Sequence, residues 1–185
     1  MIFNEESFRA EAVKFAAYIL AESARTAPKG KGDDVLDIVF INGYEVEKLC
    51  KEMEKIAEER NNHVFRRDAN SIRKAEGVLI IGVDVKKSLG LNCGYCGYKT
   101  CADFQKALQE RIEKGENVLP CVFKVMDLGI AIGSAAKLAA IFGLDNRVMY
   151  TAGMAAKRLG YVKGDIVLTI PLAALGKNPF FDRKD

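Results

Sequence analysis

Gly77-Val78-Leu79-Ile80-Ile81-Gly82-Val83-Asp84-Val85 is the segment on which the fold turns. A strand with one wet face alternates apolar and polar residues, whereas here both alternating sets are apolar. The segment therefore reads as a strand buried on both faces and central in its sheet. Upstream, Val35 to Ile41 is rich in β-branched residues and predicts a second strand. Tyr44 to Arg60 carries Val46, Leu49, Cys50, Met53, Ile56 and Ala57 at helical spacing, so a helix is expected to pack on that strand, with Cys50 as a small core side chain. Asp68 to Ala75 predicts a further short helix. At the start of the chain, Phe8, Ala12, Phe15, Ala16, Ile19 and Leu20 recur over Glu5 to Ala24 with charges between them, which is helical spacing and predicts a first helix.

Downstream of the central strand comes Asn92-Cys93-Gly94-Tyr95-Cys96-Gly97-Tyr98-Lys99-Thr100-Cys101-Ala102-Asp103-Phe104, with Cys121 later in the chain. The spacing is C-x2-C-x4-C-x19-C. Two thiolates separated by two residues can reach one metal centre, and a third can close over another corner where Gly94 and Gly97 let the backbone turn tightly. A C-x2-C pair alone also suits a redox dithiol or a zinc knuckle. Three cysteines crowded into one loop and a fourth arriving late favour an iron-sulfur cluster over two separated zinc-binding pairs, with four-thiolate zinc and free or disulfide-bonded thiols as the alternatives. Tyr95 and Tyr98 either shield such a cluster or cover the apolar patch beneath the loop. The single histidine, His63, lies far upstream beside Asn61 and Asn62, and no catalytic acid, base or nucleophile can be assigned.

After the loop, Ala102 to Lys114 predicts an amphipathic helix ended by Gly115, and Val122 to Phe142 a long helix whose glycines and alanines permit close packing. The charges Asp127 and Lys137 argue against a membrane span there, because a charge at bilayer depth costs ~2.5 kcal/mol or more. A strand over Arg147 to Thr151, a helix over Met154 to Leu159 and a strand over Asp165 to Leu172 complete the expected order. The layout is α+β around one sheet. The 185 residues suit one domain, with an inserted module over 86–122.

Charge and composition narrow the partners. A net charge of +3 is spread over 28 basic and 25 acidic residues with no basic run longer than two, which argues against nucleic acid. Five cysteines, an odd number, behind an acidic and polar amino terminus fit a reducing, cytoplasmic setting better than a disulfide framework. The Pro28-Lys29-Gly30-Lys31-Gly32 turn offers either an anion site or a solvated connection.

Two resemblances follow from these residues. The Cys-Gly-Tyr-Cys-Gly-Tyr-Lys-Thr-Cys-Ala-Asp-Phe run with its distant cysteine resembles the four-cysteine [4Fe-4S] domain of the corrinoid iron-sulfur protein large subunit and of the B subunit of Rnf-type electron transport complexes. In that module proline commonly follows the last cysteine, whereas here Pro120 precedes Cys121. Ala21 to Ile41, Asp127 to Leu144 and Ile170 to Lys184 are similar to the helix-turn-strand, the central helix and the closing strand of the nitroreductase flavoproteins. Taken together, the chain is identified as a member of a family of ferredoxin-domain proteins, of unknown function, in which such a module sits within a nitroreductase-like mixed sheet flanked by helices. The resemblance implies one [4Fe-4S] cluster on Cys93, Cys96, Cys101 and Cys121, and a homodimer formed through the central helix. It implies FMN as a further candidate cofactor, with Lys29, Lys31, Arg183 and Lys184 as its phosphate contacts, although Met1 to Ala17 lacks the Arg-Arg-Ser-x-Arg stretch of the flavoproteins. The implied activity is electron transfer to a flavin, a redox partner protein or a small electron acceptor. The competing readings are a metal-stabilised scaffold without turnover and a flavoenzyme using NAD(P)H.

Overall fold

Residues 1–182 are described by the computed structural model. The chain forms α1 (Glu5–Thr26), β1 (Leu36–Asn42), α2 (Tyr44–Glu59), α3 (His63–Ile72), β2 (Gly77–Val83), α4 (Cys101–Glu113), α5 (Val122–Ile141), β3 (Asp145–Asn146), α6 (Thr151–Arg158) and β4 (Ile166–Ala173). The sheet order is β1-β2-β4-β3, and the described pairs are all antiparallel, so the expected mixed sheet is an antiparallel one.

Every residue of β2 is buried, as its double apolar pattern requires. Val78 and Ile80 point into a core shared with α2, α3 and α6, while Leu79, Ile81 and Val83 point into a second core shared with α1 and α5. A strand covered on both faces has no room for a polar set. At Gly153 of α6, an added Cβ would stand 2.0 Å from the Val167 carbonyl oxygen, so this glycine lets the helix lie directly on β4.

Two expectations are corrected, the bounds of the third helix and of the strand at Arg147. In α1 the buried stripe is Val13, Ala16, Ala17, Leu20 and Ala24, and Phe8, Phe15 and Ile19 face outward. The small stripe lies against Ala131, Ala135 and Ala139 of α5, where large side chains would hold the helices apart. The third helix begins at His63, because the Asn62 side chain accepts from the Val64 amide and caps it. The expected strand at Arg147 reduces to Asp145–Asn146 and a single bridge from Met149 to Thr169.

Candidate metal centre

The chain leaves the sheet at the end of β2 and returns at Cys121, whose amide donates to the Val85 carbonyl at 3.0 Å. The segment between is thus closed at its base, and the fourth cysteine is fixed at the end of the central strand. Inside it, Gly94 and Gly97 adopt φ of +76° and +83°, the left-handed turns that the cysteine loop needs. Thr100 and Asp103 form a reciprocal capping box that starts α4 and sets Cys101 in its first turn. Cys121 is the residue immediately before α5.

Cys93, Cys96 and Cys101 line one cleft with Ser88, Tyr98 and Phe104, and Cys121 comes within hydrogen-bonding reach of Cys96. Among the described residues the cysteines do not close on a single point as the ligands of one lone ion would. Cys93 is exposed, Cys96 and Cys101 are half-buried and Cys121 is buried. Beneath them, Phe104, Leu108 and Cys121 form a small core edged by Cys96, Tyr98, Val118 and Phe123. Tyr98 meets Phe104 edge-on at 5.9 Å and belongs to that core, whereas Tyr95, 69% exposed, stacks on Phe123 at 6.0 Å.

Backbone donors reach two of the sulfurs. The Asn92 amide donates to Cys101 Sγ at 3.3 Å, while its side-chain Oδ1 accepts from the Cys101 amide at 2.8 Å. This mutual clasp holds Asn92 at φ +51°, a conformation that asparagine tolerates better than most residues. The Asn92 amide is the main reason the Cys101 thiol titrates below its ordinary range, with the Ser88 hydroxyl and the Gly90 and Leu91 amides adding to it. The Val122 amide donates to Cys96 Sγ at 3.3 Å. Burial raises the Cys96 thiol all the same, and the neighbouring Cys121 and Cys93 push it the same way. Because the proline stands at 120, residue 122 keeps the N–H that makes this bond. Soft thiolates with amide donors aimed at their sulfurs suit an iron-sulfur cluster.

Cys50 lies away from this group, buried in the other core with its thiol toward the Ala69 carbonyl, and burial pushes it up to about 12. His63 is exposed at the start of α3.

The residues named for a flavin phosphate are placed as follows. Lys29 turns its ammonium onto the carbonyls of Ala24, Arg25 and Ala27 at the end of α1, and Lys31 donates to the Leu89 carbonyl at 2.9 Å. Arg183 and Lys184 lie outside the described residues. The same turn meets the start of α5: the Gly30 amide donates to Asp127 Oδ1 at 2.9 Å, and Lys124, fully buried, pairs with Asp33 at 2.7 Å. Among the described residues, Asp127 Oδ2 is buried without a hydrogen-bond partner. Sequence reading missed Asn92, Ser88 and the Lys124–Asp33 pair. Only the Thr-x-x-Asp box of Thr100 carried a local signal of its own.

Comparison with known proteins agrees with this picture. A family model described as an uncharacterized protein containing a ferredoxin domain (DUF2148) matches residues 119–183, and an Fe-S cluster family model matches residues 90–117. The first three cysteines fall in one match and Cys121 in the other. An uncharacterized protein of Archaeoglobus fulgidus is 49% identical over 185 residues, covering 99% of this chain and 98% of that one. Among solved structures, nitroreductase CinD of Lactococcus lactis in complex with chloramphenicol gives a TM-score of 0.57 at 15% identity, covering 95% of this chain and 81% of that one. A nitroreductase of Bacteroides fragilis with bound FMN gives 0.56 at 13% identity, covering 92% and 82%. A nitroreductase of Desulfitobacterium hafniense with bound FMN gives 0.55 at 15% identity, covering 88% and 78%. At these identities the likeness is one of fold, which is nitroreductase-like. No helix among the described residues is long and apolar enough to cross a membrane.

Proposed function

Since the chain belongs to the DUF2148 family of ferredoxin-domain proteins and carries an iron-sulfur module, we propose that it is an electron-transfer protein holding one [4Fe-4S] cluster on Cys93, Cys96, Cys101 and Cys121. The observation that carries the reading is the return of Cys121 to Cys96 across the whole module, pinned by the Val85 carbonyl. Three thiolates line the cleft, and Cys121 adds the fourth from beside Cys96, with no histidine among them. Such a cluster, when bound, accepts and releases one electron, and its potential depends on hydrogen bonds and exposure within a span of about −700 to +450 mV.

The electron's destination is a flavin or a protein partner. The fold is shared with proteins whose structures hold FMN, which supports the first, and the exposed Tyr95 beside the cysteine loop offers a contact for the second. A homodimer is part of the same proposal. Phe8, Phe15 and Tyr18 of α1 and Met126, Ile130 and Ile141 of α5 are exposed, and Gly129 and Gly133 leave open space where a partner helix could approach. An apolar surface of that kind marks an interaction site.

Anaerobic purification tests the function. Iron and sulfide at about four per chain, brown colour and a dithionite-reducible EPR signal are expected. Colourless protein with stoichiometric zinc would refute it and leave a metal-stabilised scaffold, a reading that the very small core beneath the cysteines also supports. Acid-released flavin from the same preparation decides whether FMN is resident, and light scattering decides the dimer.

A further inference from the structure

We propose that hydrogen-bond donors on two cysteine sulfurs, the Val122 amide on Cys96 and the Asn92 amide on Cys101, together with the Ser88 hydroxyl that lines the same cleft, set the reduction potential of the cluster. This rests on the iron-sulfur reading above and deepens it. Reduction adds one electron, supplied in the test by dithionite, and with it one negative charge shared between iron and the cysteine sulfurs; no proton need move. A donor aimed at sulfur stabilises the more negative state more than the less negative one, so each such bond raises the potential.

The Val122 amide is free for this task because of its position. It is the first residue of α5, where an amide has no partner within the helix, and Cys121 before it supplies no side-chain cap. The N–H accordingly goes to Cys96 at 3.3 Å. The twenty-residue helix behind it adds the positive end of its dipole on the side where negative charge accumulates. On the other corner, the Asn92 clasp with Cys101 keeps its amide directed at that sulfur, and Ser88 stands in the same cleft. These are positioning residues that act on the cluster through its ligands.

A single substitution removes the first donor without removing the helix. Proline is well suited to the first helical position, where its missing N–H breaks no helical bond. Cys121 already has φ −66° and ψ 123°, within the extended region that a following proline requires. In Val122→Pro loaded with cluster, the ratio of reduced to oxidised cluster at a fixed potential is expected to fall about tenfold, ~59 mV for a one-electron couple. Val122→Ala keeps the amide and is expected to match the wild type. Ser88→Ala is expected to shift the same way by less, and Ser88→Thr, which retains the hydroxyl, to restore the value.

The readout is an EPR-monitored dithionite titration of protein with measured iron and sulfide. Fully loaded Val122→Pro and Ser88→Ala with the wild-type midpoint overturn the inference while leaving the cluster in place. Should Val122→Pro fail to load, the Ser88 pair decides by itself: a shift in alanine restored by threonine supports the inference, and no shift overturns it. Wild-type protein without iron and sulfide overturns the underlying reading instead.

Discussion

The sheet and the cysteine module are held together by different means. Around β2 two extensive apolar cores close on both faces of the sheet, with Leu79, Ile80 and Ile81 fully buried between helices. Under the cysteine loop, the buried core is Phe104, Leu108 and Cys121, and one of those three is itself a proposed ligand. A segment of this size with so little apolar burial does not offset the entropy of ordering its backbone. The difference teaches that the sheet folds on its hydrophobic pattern, while the module, on the proposed cluster reading, would take its stability from what its thiolates bind.

The largest effect expected from breaking that contrast is at Cys121. Cys121→Ser should reduce bound iron to background and open the module, so that amide exchange over 86–120 accelerates by orders of magnitude while β2 and β4 keep their protection. Chelation of iron from the wild type should give the same pattern. Uniform loss of protection across sheet and module would show that the two regions are one cooperative unit and defeat the comparison.

Next in size are paired core truncations. Leu79→Ala removes a fully buried side chain from the sheet and is expected to cost about 3 kcal/mol by the usual transfer and cavity terms. Its cluster content should stay at the wild-type level. Phe104→Ala removes the main apolar support of the module and should instead hasten cluster loss in air severalfold, with a smaller fall in the thermal midpoint of the sheet. Thermal unfolding followed by circular dichroism, with iron release followed by visible absorbance, separates the two. Equal effects of both variants on both readouts would erase the distinction.

The same contrast governs what the sequence disclosed. The double apolar pattern of Gly77 to Val83 exposed the central strand, because a strand covered on both faces leaves no room for a polar set. The cysteine spacing and the two glycines at positive φ were equally local signals. The buried face of α1 was not legible because that helix carries two apolar surfaces, and periodicity cannot say which one meets the core. Small Ala16, Ala17 and Ala24 do so, leaving Phe8, Phe15 and Ile19 outside. The second layer of the site was illegible for another reason. The Val122 and Asn92 donors are backbone amides, which every residue except proline possesses, and only the folded geometry aims them at sulfur.

The smallest effect, that of Lys124→Met, lies where the two regions meet, at the buried Lys124 and its partner Asp33. Lys124 is completely buried, whereas the Asp33 side chain is 37% exposed, so the two ends of the pair face different solvents. Removing the carboxylate in Asp33→Ala strands an ammonium in the core with only the Asp33 carbonyl at 3.0 Å, and about 3 kcal/mol of destabilisation is expected. Removing the ammonium in Lys124→Met leaves a carboxylate that can turn to water, at an expected cost under about 1 kcal/mol. The hydrogen bond from Lys124 is the leading cause holding the Asp33 carboxyl below its ordinary 3.8, with burial opposing and the ammonium charge assisting. A folded-state value below the unfolded one stabilises above 3.8, and that contribution disappears as pH falls through the lowered value. Between wild type and Lys124→Met, the stability difference should therefore shrink only on acidification below 3.8 and remain flat from there to neutrality. Urea unfolding of both proteins across that range measures it, and a difference that instead grows in acid would mean that the pair does not stabilise the junction at all.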